Sequence, residues 1–164
     1  MKGTYCLIIS KSKTSSLKVG NLYEDYKFKK GFYVYIGSAM NSLIPRIKRH
    51  LLEDKKMHWH IDYLLKDPHT TVRNILFTDS HDIIECRLSK AIADDGYEIA
   101  NFGCSDCSCN SHLIYFERKK EALESVKKAY DEINIDYYDL KYFRKIIKKE
   151  EDLKTKKRKK KVKQ

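Results

Sequence analysis

Apolar and β-branched residues crowd the segment from Gly3 to Ser10, and the polar stretch from Lys11 to Ser16 suits a turn, so the chain opens with a strand that leads into a hairpin region. Gly31 opens a second strand, Phe32 to Gly37, dense in aromatic and β-branched residues, and the two strands are expected to pair. The period then turns helical. Leu43, Ile44, Ile47 and Leu51 recur at helical spacing behind Ser42, a plausible cap, with Pro45 in the tolerated first turn, which predicts a helix to about Asp54. A short helix over Ile61 to Lys66 ends before Pro68, and Thr70 to Thr78 has the pattern of a third strand. Asp82 begins a further helix with Ile84, Leu88, Ala91 and Ile92 on one face, and Gly96 closes it. A cysteine-rich loop follows, then a strand from His112 to Phe116.

From Glu117 the sequence is long, charged and helical, with Ala122, Val126, Ala129, Tyr130 and Ile133 as its apolar stripe. No internal repeat is found. The expected organisation is a body over residues 1–116, a helical appendage over 117–153 and a disordered basic tail over 154–164. A chain of 164 residues holds one core plus an appendage rather than two cores.

Composition adds that 41% hydrophobic and 12% aromatic residues suffice for an apolar core despite 35% charged residues. The net charge of +11 arises from 34 Lys and Arg against 23 Asp and Glu, and eight of the basic residues fall in 154–164, leaving 26 against 23 elsewhere. Such a run repels itself and meets polyanions, although a plain solubility tail accounts for it equally well. The segment 117–153 holds ten basic and ten acidic residues, so it is expected to pack on the body rather than bind phosphate. No apolar run is long enough for a membrane span and no signal-peptide pattern begins the chain. The odd count of five cysteines, at 6, 86, 104, 107 and 109, argues for reduced thiols and a cytoplasmic location.

Candidate chemistry lies in Tyr5 on the first strand, Tyr35 on the second, and Arg46 with His50, four residues apart and so on one helical face, with Lys48 and Arg49 adding charge nearby. Glu85 sits at the start of a later helix beside apolar Ile83 and Ile84. Taken singly, each tyrosine reads as a core residue, Arg46 as a solvated charge and Glu85 as a first-turn residue favoured by the helix dipole. Their joint order favours a catalytic set.

Gly3-Thr4-Tyr5, Gly31-Phe32-Tyr33-Val34-Tyr35-Ile36-Gly37-Ser38-Ala39, Arg46 with Arg49-His50, His58 to Leu64, Glu85-Cys86, Phe102 to Cys107 and Ser111-His112-Leu113 stand in an order that resembles the GIY-YIG nucleases. The closer resemblance is to the small Uri-type branch, which also occurs fused to base-excision-repair nucleases. It covers about residues 2 to 116. It implies an α/β (α+β) domain, a small antiparallel sheet of about three strands flanked by helices, and phosphodiester hydrolysis assisted by one divalent ion. Tyr5 would act as general base, Arg46 would hold the scissile phosphate and ease the ionisation of the phenol, Tyr35 and His50 would orient water or relay its proton, and Glu85 would hold Mg²⁺ or Mn²⁺. Residues 6 to 34, 29 in number, separate the two tyrosines, more than the usual hairpin of that family, which implies an inserted hairpin. The family's late active-site Asn has two candidates here, Asn101 and Asn110.

Cys104, Cys107, Cys109 and His112 could bind structural Zn²⁺, with Cys86, His58 or His60 as substitutes. A loop of buried reduced thiols held by Asp106 is the competing reading. His58-Trp59-His60-Ile61-Asp62 is expected to brace the helix that carries Arg46. The expected function is a metal-dependent endonuclease acting on DNA, less so RNA, in repair or DNA processing. Lys48, Arg49, Lys157, Arg158, Lys159 and Lys160 are the candidate nucleic-acid contacts. Two other classes stand beside it: a noncatalytic nucleic-acid-binding module on the same scaffold, and an adaptor whose segment 117–153 docks a repair protein.

Overall fold

The structure, a computed structural model, describes residues 1–103 and 109–162. Seven strands and five helices are described. β1 (Gly3–Lys11), β4 (Gly31–Ala39) and β5 (Thr70–Thr78) are the long strands, each of nine residues, and short β7 (Leu113–Phe116) and β6 (Tyr97–Glu98) extend the sheet. The order is β5-β1-β4-β7-β6 and the strand pairs are antiparallel. The expected three strands are thus the long part of a five-stranded sheet.

The insertion between the two tyrosines folds as expected into its own hairpin, β2 (Ser15–Val19) with β3 (Tyr23–Phe28). β1 is buried along its whole length, and its alternation assigns side chains to two cores. Tyr5, Leu7 and Ile9 point to one face, which is covered by α1 (Leu43–His50), α2 (His60–Leu65), the hairpin and the start of α5 (Leu140–Val162). Cys6 and Ile8 point to the other, against α3 (Glu85–Ala93) and α4 (Lys119–Glu132).

This layering corrects the expected boundary at residue 116. α4 buries Ala122, Val126, Ala129 and Tyr130 against the sheet, and without it the part of the Cys6 face that α3 does not cover would lie open to water. It is a layer of the body, not an appendage. The basic segment is also corrected: it is not an unstructured arm but the exposed continuation of α5 as far as Val162. Phe143 is buried and Ile146 and Ile147 pack on the core, so the first turns are anchored. Lys and Arg are good helix formers, and cations in the last turn favour the helix dipole, so the helix runs on without further packing. Among the described residues no helix is long and apolar enough to cross a membrane.

Candidate active site

β1 and β4 are paired so that Tyr5 stands opposite Gly37 and Leu7 opposite Tyr35. A Cβ at position 37 would overlap the Tyr5 ring, so glycine is what lets that ring lie across β4. Tyr5 is 2% exposed, and its ring centroid lies 6.3 Å from that of Tyr35. The amphipathic pattern of α1 buries Leu43, Ile44 and Ile47, which presses the helix on the same face of the sheet and brings His50 inward. The Tyr5 hydroxyl and His50 Nε2 are 2.7 Å apart, and His50 Nδ1 is buried with no hydrogen-bond partner.

The two groups carry opposite consequences of burial. Desolvation, helped by Tyr35 and Glu85, raises the Tyr5 hydroxyl well above its ordinary value, and the Arg46 charge offsets only part of this. The resting group is therefore a phenol, and Arg46 does not convert it to phenolate. Burial, reinforced by Lys55, Arg49 and Arg46 against the weaker pull of Asp62, lowers His50 to about 3, so its ring is neutral at pH 7.

Tyr5, Tyr35, Gly37, Ser38, Arg46, His58, Trp59, His60, Glu85 and Gly103 line one cleft of about 330 Å³. Four of the five expected catalytic residues therefore meet in it, and the fifth, His50, stands directly behind Tyr5. Ser38, which the sequence does not single out by chemistry, joins the two charges: an Arg46 guanidinium N–H donates to the Ser38 carbonyl, and Ser38 Oγ donates to Glu85 Oε2 at 2.8 Å. Its position one residue after Gly37 was the available signal. Asn101 and Asn110 are not among the lining residues.

The expected brace is present. Trp59 lies under two guanidinium groups, with Arg46 Cζ 5.0 Å and Arg49 Cζ 4.5 Å from its ring centroid. Arg49 grips buried Asp62 through two bonds of 2.9 Å and also donates to the Lys56 carbonyl. Burial tends to raise the Asp62 carboxyl, but the Arg49 fork and the backbone N–H groups of Trp59 and His58 hold it below the usual carboxylate range. Arg49, one of the expected nucleic-acid contacts, thus has its guanidinium engaged with a buried carboxylate while its side chain stays 25% exposed. Lys48, another expected contact, lines a separate groove beside Arg144 and Lys148 of α5. Lys157, Arg158, Lys159 and Lys160 lie exposed on α5 and are not cleft residues.

Among the described residues that line the cleft a hard divalent cation would find one carboxylate, Glu85, with its side chain 26% exposed. This fits a Mg²⁺ or Mn²⁺ ion that takes its other ligands from water and phosphate oxygens. Of the expected zinc ligands, Cys104 and Cys107 lie outside the described residues. Cys109 and His112 lie together with Cys86, their ligand atoms within 4.8 Å of one another, whereas His58 and His60 line the cleft instead.

A search among curated proteins and another among solved structures found no match. A family profile does match, over residues 4–135, and it takes in α4 together with all the residues that line the cleft. The chain belongs to the family described as Domain of unknown function DUF123.

Proposed function

We propose that the protein is a metal-dependent endonuclease of the GIY-YIG, Uri-type kind that hydrolyses phosphodiester bonds in DNA, in repair or DNA processing. The observation that carries this reading is the convergence of Tyr5, Tyr35, Arg46 and Glu85, drawn from β1, β4, α1 and α3, on one polar cleft with His50 behind it. Phosphodiester hydrolysis needs an activated water, positive charge on the non-bridging oxygens and help for the departing oxygen.

Arg46 supplies a planar donor for the phosphate, held at the cleft by the Ser38 carbonyl. Glu85 would hold Mg²⁺ or Mn²⁺, which when bound supplies charge neutralisation and acidifies coordinated water. Tyr5 keeps its proton at rest, so it acts by relay: its oxygen takes a proton from the attacking water as its own proton passes to His50 Nε2. That relay uses the tautomer with hydrogen on Nδ1, and it uses the neutrality of His50 to keep Nε2 available as an acceptor. Tyr35, beside both rings, orients the water.

The burial of Tyr5 and its raised ionisation favour one second reading, a noncatalytic module that binds nucleic acid through the same cleft. Incubation of purified protein with Mg²⁺ or Mn²⁺ and plasmid, duplex, branched and single-stranded DNA separates them. Metal-dependent nicking lost in Tyr5→Phe, Arg46→Ala and Glu85→Ala supports the enzyme. Binding without turnover on all substrates supports the module.

A further inference from the structure

On the far side of Glu85 from the cleft, the start of α3 meets the segment that leads into β7. Cys86, the second residue of α3, puts its Sγ 2.8 Å from Cys109 Sγ, and Cys109 Sγ lies 3.1 Å from His112 Nε2. All three ligand atoms fall within 4.8 Å of one another, in a pocket where Cys109 is 7% and His112 1% exposed. We propose that Cys86, Cys109 and His112 hold a zinc ion.

The orientation of His112 is the second observation. Its Nε2 faces the sulfurs, while Nδ1 lies 2.9 Å from Ser89 Oγ and 3.5 Å from Glu85 Oε1. Histidines that ligate a metal through one nitrogen characteristically donate the other N–H to a hydroxyl, carbonyl or carboxylate, which sets the tautomer and the ring plane. Here both nitrogens are aimed as that arrangement requires. A histidine serving only as a core hydrogen-bonder has no need of a thiol at its second nitrogen with another thiol beside it.

Ligand chemistry selects the metal. Two sulfurs and an imidazole suit zinc and disfavour magnesium, manganese or calcium, which take oxygen. This site and the hard Glu85 carboxylate would therefore load different ions although they lie side by side. Binding would tie residue 86 to residues 109 and 112, closing the chain between α3 and β7, and it would release the thiol protons as the ligands become thiolates. Through His112 it would also hold the Glu85 carboxylate from behind, a consequence that rests on the endonuclease reading. Zinc binding itself does not.

The experiment uses full-length protein purified without chelator and with reductant. Expected are about one zinc per chain by elemental analysis after gel filtration, and, on exchange for Co²⁺, a thiolate-to-cobalt charge-transfer band. Cys86→Ser and Cys109→Ser should each lower zinc content severalfold, whereas Cys6→Ser, which alters a buried thiol of the β1 core, should leave it unchanged. If the serine variants fail to fold, the wild-type stoichiometry and cobalt spectrum decide. Zinc-free protein that gains no cobalt thiolate band, folded variants that keep full zinc, or a Cys86–Cys109 disulfide found by peptide mapping in place of metal would each overturn the proposal. Zinc is measured without DNA, so an inactive but zinc-loaded protein refutes the endonuclease reading alone, and an active zinc-free one refutes this proposal alone.

Discussion

The Tyr5 hydroxyl and His50 Nε2 stand 2.7 Å apart although 45 residues separate them, and each is only 2% exposed. Removing that hydroxyl in Tyr5→Phe keeps the ring that packs across Gly37 but ends the proton path. Nicking should fall by about 10²-fold or more while the circular dichroism spectrum stays native. Single-turnover cleavage of end-labelled DNA measures it.

Arg46→Lys keeps the charge but loses the planar fork and the stacking over Trp59, so it should impair cleavage almost as much as Arg46→Ala. Glu85→Gln removes the hard ligand while its remaining side-chain carbonyl can still accept from Ser38 Oγ. Metal titrations of the cleavage rate should show a loss that added Mn²⁺ recovers only in part.

Gly37→Ala places a Cβ where the Tyr5 ring lies. Either ring or strand must shift, a cost on the order of 1–3 kcal/mol. The expected result is a lower thermal midpoint together with lost cleavage. A variant with wild-type stability and rate would mean that the ring is not confined as described.

Acid should destabilise the fold through His50. Its pKa falls from 6.5 to about 3 on folding, so the unfolded chain binds the extra proton between those values. Stability is then full above pH 6.5 and declines as pH falls toward 3, by about 2 kcal/mol between pH 7 and pH 5. Urea unfolding at the two pH values reads the difference, and His50→Gln should flatten it.

Deleting residues 154–164 should cut DNA affinity and shallow its salt dependence, since that segment holds eight basic residues against no acid. Because the corresponding part of α5 is exposed, the thermal midpoint should hardly move. Fluorescence anisotropy across a salt series makes the comparison.

The sequence by itself determined the local elements, because each is encoded by periodicity over a few residues. β5 falls at Thr70–Thr78 as its pattern predicts, and the oversized gap between the tyrosines becomes the β2–β3 hairpin. The order of short motifs also brought out the five residues that meet around the cleft. Only tertiary structure decided what depends on contacts between distant segments. It made α4 a layer of the core, because the even-numbered face of β1 needs a cover. It committed Arg49 to Asp62 and set Cys86 beside Cys109 and His112. A guanidinium or thiol looks the same in sequence whether it faces water or a buried partner, and only the register of the sheet and the docking of helices choose between those fates.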